Sequence, residues 1–358
     1  MSSQTPKISD VVILGAGPAG AAAAITLLQH GIRVLIIEAT LFPRTRPGET
    51  LHPGVEVVFQ QLGVAKSVNS AGFIRYDGHT VESSFLATSQ FQEFGADEEG
   101  PWFGYQAPRE QLDSILLEYA VKKGAVLLQP GRPTSVVKKC DRIIGIRTNQ
   151  STIHCQYVLD ATGRHQWLTK QLGLSWEQCS KKLIARYGYA QQIADFNISL
   201  PAHPMMTIDQ EGWTWLAPLP KARIAWVRLC FNGRDPGSKW SPPKLNSLPK
   251  DGKSRGADVT WRKSRQMTGE NWMLLGDAAF VLDPSSSHGV LRAMMSGILA
   301  AQKIANSECR GVSFEIGSRD YANWMEQWFD TDIAVLDQLN QSMFGFNVLP
   351  NKVGIDSI

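Results

Sequence analysis

Val11-Val12-Ile13-Leu14-Gly15-Ala16-Gly17-Pro18-Ala19-Gly20 decides the reading of this 358-residue chain. A short apolar run ends in three glycines spaced G-x-G-x-x-G. An alanine-rich stretch follows to His30, Gly31 breaks it, and Ile32-Arg33-Val34-Leu35-Ile36-Ile37 forms a second apolar run ending at Glu38. The pattern predicts a strand, a glycine turn, a helix, a second strand and an acid. The glycines have separate tasks: Gly15 permits the tight turn, Gly17 lets backbone approach a pyrophosphate, and Gly20 lets the helix lie on the strand. The pyrophosphate is expected against Gly15, Ala16, Gly17, Pro18, Ala19 and Gly20, where unpaired N–H groups and the helix dipole favour negative charge. Glu38 is expected to accept hydrogen bonds from an adenosine ribose. The glycine spacing alone is a weak signal; the flanking strand, helix and acid make it strong.

The length allows one large domain or two. Hydrophobic residues make up 43% and charged residues 19%, which supports a sizeable core and disfavours disorder. A net charge of +3 is too small to argue for nucleic acid, and no basic stripe with interleaved aromatics is present. Five cysteines (Cys140, Cys155, Cys179, Cys230, Cys309) are scattered, without a CxxC or Cys/His cluster. Neither a disulfide frame nor a metal site is expected, and a reducing cytoplasmic compartment fits. Residues 1–10 lack the apolar centre of a signal peptide. No apolar run is long enough for a membrane span, so no membrane partner is expected.

Beyond Glu38, Pro43, Pro47, Gly48 and Pro53 mark a loop. Val55, Val58, Phe59 and Leu62 have helical spacing, and a second helix opens at Arg109, buries Leu112, Ile115, Leu116, Tyr119 and Ala120, and stops at Gly124. Residues 71–107 read as short strands and loops. Strands are expected at 125–128, 135–138, 143–147, 152–155 and 158–160, then at 205–208, 213–216, 224–231 and 272–275. A loop rich in Pro, Ser and Lys spans about 233–256. Helices are expected from Val290 towards Ile304 and over 318–345, the latter packing through Trp324, Trp328 and Leu336.

Four separated motifs agree in order. They are the glycine turn, the helix opening Arg109-Glu110-Gln111-Leu112-Asp113, the strand end Asp160-Ala161-Thr162-Gly163, and Gly276-Asp277 followed by Asp283-Pro284 and Gly289. Together they resemble the FAD-dependent monooxygenase fold shared by aromatic hydroxylases and flavin halogenases, over residues 8–305. The resemblance implies an FAD-binding Rossmann-like α/β domain with an interleaved β-rich substrate domain. The FAD-binding domain would take residues 1–70, 103–170 and 265–305, the substrate domain 71–102 and 171–264, and a helical C-terminal segment 306–358. It also implies that Asp277 contacts the FAD ribityl and pyrophosphate, and that the turn holding Pro284, Gly289 and Val290 passes beside the flavin ring. Gly289 would permit close approach there, and the helix after it would present its positive end to an anionic reduced flavin.

Trp213-Thr214-Trp215-Leu216-Ala217-Pro218 resembles the WxWxxP segment of tryptophan halogenases. Those enzymes need a lysine, expected here within residues 71–79, yet that stretch reads Ala71-Gly72-Phe73-Ile74-Arg75-Tyr76-Asp77-Gly78-His79, and the nearest earlier lysine is Lys66. Little chain beyond the Val290 helix is left to form a substrate lid, so a site open to a large substrate is expected. Gly48-Glu49-Thr50-Leu51-His52-Pro53-Gly54 and the segment from Asp283 to Ala293 are similar to small flavoproteins that accompany quinoprotein lysine or glycine oxidases. Those flavoproteins are required to form the cysteine tryptophylquinone of their partner oxidase. The implied activity is hydroxylation of a tryptophan side chain in a quinoprotein amino-acid oxidase precursor by a flavin C4a-hydroperoxide. Three rivals remain open: a hydroxylase or halogenase of a small indole or phenol, a non-catalytic flavoprotein maturation chaperone, and an alkene-reducing flavoprotein.

In this chemistry the flavin performs the hard step, and the protein supplies position, dryness and electrostatics. His288 lies in the turn expected beside the flavin, either to hydrogen-bond a flavin or peroxide oxygen, to move a proton, or to support the turn. Glu49 and His52 share a loop facing the same cleft. Glu49 is either a base for the indole proton or the ion-pair partner of Arg44 or Arg46. Arg109 is expected at the FAD phosphate or ribityl, with Asp113 as a helix-start residue. Arg44 is expected near the adenine or in solvent. No second glycine turn exists for a nicotinamide cofactor, so the electron donor stays open.

Overall fold

Val11 to Leu14 are fully buried because their strand lies at the centre of a seven-stranded sheet. The computed structural model describes residues 8–83, 88–193, 201–231, 233–344 and 348–349. Its first sheet runs Val126–Leu128, Val34–Ile37, Ile8–Leu14, Thr152–Asp160, Arg142–Thr148, Pro133–Lys139, with Trp272–Leu274 joined to the strand Thr152–Asp160. The central pairs are parallel, as buried apolar runs on both sides require. The three strands from Pro133 to Asp160 form an antiparallel meander. This is the expected Rossmann-like α/β arrangement.

Two boundaries differ from the sequence reading. The strand expected from Ile32 begins at Val34, because Arg33 is held outside it by Asp10 through its backbone N–H and guanidinium at 2.7–3.0 Å. The segments read as separate strands at 152–155 and 158–160 form one strand, Thr152–Asp160. Its first part pairs with residues 145–147 and its last part with Trp272–Leu274. That change of partner produces the mixed polar and apolar pattern that looked like an interruption.

The second sheet also has seven strands: Arg255–Asp258, Ile184–Gln191, Arg223–Cys230, Gly212–Leu219, Met205–Asp209, Gly78–Ser83 and Thr88–Glu93. All neighbours are antiparallel except Met205–Asp209 with Gly78–Ser83. The loop read over about 233–256 contains one short 3-10 turn, Pro243–Leu245, and ends earlier than expected, because the strand Arg255–Asp258 begins inside it. Leu245 and Leu248 pack from this loop on Leu216, Ile224 and Trp226 of the sheet. Arg186 and Arg223 tie it down through Asp235 at 2.5 Å and Asp251 at 2.6 Å.

The helices Arg109–Lys122, Gly289–Arg310 and Phe314–Phe344 lie near their expected places. Residues 345–347 and 350–358 of the expected C-terminal helical segment lie outside the described residues, as do residues 1–7, 84–87, 194–200 and 232. In the last helix Tyr321, Met325, Phe329 and Leu336 take the buried positions. Trp324 and Trp328, expected to carry the packing, are half-buried and meet edge to face at 4.9 Å. This helix packs beside Gly289–Arg310, and none of its described residues lines the main cavity. Among the described residues no helix is long and apolar enough to cross a membrane.

The helix Gly289–Arg310 crosses the first helix, Pro18–Gln29, at very close range. A Cβ on Gly297 would stand 2.2 Å from the Ala19 carbonyl oxygen and 3.0 Å from the Ala23 nitrogen. Both are backbone atoms and cannot rotate away, so the helices must separate to admit a methyl group. Gly297→Ala is expected to destabilise the fold by about 1–3 kcal/mol, read as a lower denaturant midpoint at unchanged slope. An unchanged midpoint would show that the helix pair is looser than described.

Candidate functional site

The glycine turn is built against the end of the strand Thr152–Asp160. Gly15 has φ +97°, and a Cβ there would lie 2.5 Å from the Ala161 carbonyl oxygen. Asp160 fixes that carbonyl: its carboxylate accepts the N–H groups of Thr162 at 2.8 Å and Leu168 at 2.7 Å. Burial pushes the Asp160 carboxyl above its usual range. A Cβ on Gly20 would collide with the Gly15 carbonyl at 2.0 Å, so Gly15 and Gly20 both serve close packing. Gly17 faces open space except for Arg44 Nη2 at 3.5 Å, and Gly289 meets nothing within 4 Å. Room for a ligand therefore exists at Gly17 and Gly289. Glu38 is buried and accepts the N–H groups of Ala16 at 2.9 Å and Thr40 at 2.8 Å, which holds it at the mouth of the glycine turn.

Arg44, Arg109 and Asp113 form one cluster beside this turn. Arg109 donates to both Asp113 oxygens, at 2.8 and 3.1 Å, and to the Pro47 carbonyl at 3.0 Å. Asp113, expected to serve the helix start, is fully buried one turn inside the helix and holds Arg109 instead. Arg44 lies 3.8 Å from Glu38 and 3.9 Å from Asp113. Its Nε is buried without a hydrogen-bond partner among the described residues, and burial pushes the guanidinium below its ordinary value. A buried cation with an open donor is suited to an anionic ligand.

A cavity of 490 Å³ joins these groups to the second sheet. Gly17, Pro18, Ala19, Arg44 and Arg109 line it, as do Asp277, Pro284, Gly289 and Val290 from the later motifs. Ala185, Ala217, Ala225 and Ala257, from four strands of the second sheet, also line it; their short side chains keep that wall shallow. Trp213 and Trp215 line it from the strand Gly212–Leu219. The Trp215 Nε1–H donates to Thr50 Oγ1 at 3.1 Å, and Thr50 donates to Gln106 Oε1 at 3.0 Å, which fixes the indole.

Of the three residues read as chemical candidates, Glu49 is the one among the described lining residues. The expected pairing with Arg44 or Arg46 is replaced: Glu49 Oε1 accepts from Tyr189 Oη at 2.5 Å and Oε2 from the Gly48 N–H at 2.9 Å. Burial pushes the Glu49 carboxyl upward, against the pull of Tyr189, Gly48 and Arg109. Burial, then Glu49 itself, raises the Tyr189 phenol. The side chain of His288 turns behind the cavity wall, with Nδ1 3.3 Å from Asp332 and its ring 5.1 Å from the His52 ring. His52 Nδ1 accepts from the Gly54 N–H at 3.0 Å, and burial, then His288, lowers its pKa. Phe94 links His52, at 5.8 Å, to Tyr76 and His79, and His79 lies 5.4 Å from Trp215. Tyr189, Arg292 and Asp332 were not legible as site residues. Arg292, three residues after Gly289 and 3.6 Å from Asp277, had the clearest signal, since helical spacing turns both towards one cavity end.

The donor set fits FAD. Open backbone at Gly17 and Gly289, the Nε atoms of Arg44 and Arg292, which have no hydrogen-bond partner among the described residues, and the helix N-terminus at Pro18 suit a pyrophosphate with a planar ring system at the far end. A family model described as FAD binding domain matches residues 8–243. The chain is similar to the 1H-pyrrole-2-carbonyl-(peptidyl-carrier protein) brominase of Pseudoalteromonas luteoviolacea, at 28% identity over 83% of this chain and 77% of that protein. It is similar at 28% identity to the menaquinone reductase of Mycobacterium tuberculosis, over 82% and 76%. The tryptophan 2-halogenase of Chondromyces crocatus is 24% identical over 84% of this chain and 62% of its own. Among solved structures, the myxobacterial chondrochloren halogenase superposes with a TM-score of 0.82 at 23% identity, covering 97% of this chain and 87% of that one. Pseudomonas aeruginosa PqsL with 2-aminobenzoylacetate superposes at 0.79 and 16% identity, over 94% and 97%. These two structures share the fold.

Because burial raises the Glu49 carboxyl, the folded chain keeps this proton to a higher pH than the unfolded chain. Between the two values the folded state binds more protons, so its stability falls as pH rises. Glu49→Gln removes that loss. Melting temperatures of both proteins from about pH 4 to about pH 9 are expected to converge at the acid end, with the variant gaining on the parent as pH rises. Parallel curves would mean that Glu49 titrates alike folded and unfolded.

Proposed function

The chain belongs to the FAD binding domain family, and from that premise we propose a flavin-dependent oxygenase that modifies an electron-rich aromatic ring. One observation carries this reading: the cavity that receives Gly17 and Gly289 is also walled by Trp213 and Trp215, so a cofactor cradle and an apolar aromatic wall share one space. Bound and reduced FAD supplies the activation of dioxygen. The chain's own groups position and shield it. Gly17, Pro18 and Arg44 would hold the pyrophosphate, Asp277 the ribityl, and Pro284, Gly289 and Val290 would border the ring. Thr50 locks the Trp215 indole, and the alanine-lined wall keeps water away from it. Glu49, buried and hydrogen-bonded to Tyr189, can hold or release a proton at the cavity wall.

Hydroxylation fits these residues better than halogenation. The stretch from Ala71 to His79 contains no lysine, and none stands among the described lining residues. The ring nearest Trp215 from that stretch is His79, whose pKa burial, then His203, lowers. That imidazole lacks the long flexible stem and the charge of a lysine ammonium.

For the substrate we propose a tryptophan side chain on a partner polypeptide, the precursor of a quinoprotein amino-acid oxidase. The resemblance of the Gly48 to Gly54 and Asp283 to Ala293 segments supports it. So does the brominase relative, whose name describes a pyrrole carried on a protein. The halogenase relatives favour a second reading more directly, hydroxylation or halogenation of a small indole or phenol.

Mass spectrometry separates the two. Coexpression with an oxidase precursor is expected to add one oxygen to a single tryptophan peptide of that precursor, and to add none with a variant that binds no FAD. If the FAD-free variant still matures the partner, the chain is a binding protein and the oxygenase reading fails. If reductant and bromide give a brominated free indole while the precursor stays unmodified, the small-substrate reading replaces this one.

A further inference from the structure

The C-terminal helix Phe314–Phe344 buries a stripe that includes Tyr321, Met325, Phe329, Asp332 and Leu336. A carboxylate in such a stripe is strongly destabilising unless it is paired and hydrogen-bonded. Asp332, 5% exposed, has two partners. Its Oδ2 accepts from Arg292 Nη1 at 3.2 Å, and its Oδ1 faces His288 Nδ1 at 3.3 Å. Both partners stand at the start of the preceding helix, where the Arg292 N–H donates to the His288 carbonyl at 2.8 Å. Arg292 is itself buried, and its other terminal nitrogen lies 3.6 Å from Asp277. Its guanidinium sits 4.5 Å over the Phe280 ring, which meets Phe329 edge to face at 4.9 Å. The C-terminal helix is thus joined, by charge and by ring packing, to both segments that close the Gly289 end of the cavity.

The hydrogen-bond inventory fixes more than position. A carboxylate can only accept, so the His288 nitrogen that faces Asp332, Nδ1, carries a proton. His52 has the opposite arrangement: its Nδ1 accepts from Gly54, so its proton is on Nε2. The two rings, edge to face at 5.1 Å, have opposite roles at Nδ1, a donor at His288 and an acceptor at His52.

We propose that Asp332 is a positioning residue for the flavin site. From the C-terminal helix it sets the tautomer of His288 and holds Arg292 towards Asp277, and thereby sets the polarity and shape of the turn beside the cofactor. The link to the cofactor rests on the reading that places the flavin against residues 283–289; the tautomer does not.

Asp332→Asn tests both parts. Arg292 has only donors, so the new amide must turn its oxygen to Arg292 and its NH2 to His288. His288 must then accept at Nδ1 and move its proton to Nε2. Long-range 1H–15N spectra of histidine-labelled protein are expected to show His288 as Nδ1–H in the parent and Nε2–H in the variant. FAD titration is expected to show about tenfold weaker binding to the variant, because a neutral amide holds the Arg292 guanidinium towards Asp277 less firmly than a carboxylate does. Glu326→Gln, on the exposed face of the same helix, is expected to match the parent in both measurements. An Nε2–H His288 in the parent overturns the proposal without any variant, which covers a variant that does not fold. An unmoved tautomer, or a moved tautomer with unchanged FAD affinity, overturns it as well. A parent that takes up no FAD shows as a flat titration of the parent itself and sinks the flavin reading, an outcome separate from these.

Discussion

Two strand ends approach each other so closely that only a glycine fits between them, and the site follows from that contact. The Ala161 carbonyl occupies the space that a side chain on residue 15 would need, 2.5 Å from its Cβ position. Asp160 keeps the carbonyl there by binding two backbone N–H groups of the following turn. The Asp-Ala-Thr-Gly motif and the glycine turn are therefore two halves of one joint. The joint sets where the first helix begins, hence where its N-terminal N–H groups point, and hence where a dinucleotide phosphate can rest. The helix Gly289–Arg310 is registered on the same helix through Gly297, so both ends of the cavity are referred to one rigid element.

Around that joint the chain buries its charges in linked groups. Arg109 with Asp113, Arg292 with Asp332, and Glu49 with Tyr189 each place an ionisable group out of water. Such pairs are weak sources of stability, because desolvation offsets most of the attraction. Their value is geometric. A buried pair has few alternative arrangements, so each fixes the direction of a side chain or turn at the cavity. Arg44 and Arg292 each keep an Nε atom without a partner among the described residues, and both face segments that line the cavity.

What could be read from the sequence was what depends on neighbours along the chain. The glycine turn, its flanking strands and the Asp283 to Gly289 turn are local, and their residue types follow from backbone geometry or from a helix terminus. Contacts made across the fold left no such trace. Glu49 meets Tyr189 from 140 residues away, and its basic neighbours in sequence, Arg44 and Arg46, pointed to an ion pair that does not form among the described residues. For His288 the sequence left a flavin contact and a turn-supporting role both open, because the residue its Nδ1 faces, Asp332, lies on another helix. In sequence Asp332 reads as one more charge on an amphipathic surface; only packing shows it on the buried stripe.

The two sheets divide the chemistry between them. The first sheet presents backbone and charge, which suit a phosphate and bind it with little dependence on side-chain shape. The second presents alanines and two tryptophans, which suit a flat apolar ring and exclude water. A dry wall beside a buried carboxyl raises the value of each proton position, since charges there are poorly screened. Glu49 sits at that boundary, with Arg109 of the cation cluster on one side and Tyr189 of the second sheet on the other. Its carboxyl is pushed up by burial and pulled down by both neighbours, so a ligand that excludes further water favours the protonated form, while one that brings negative charge nearer favours it more strongly still.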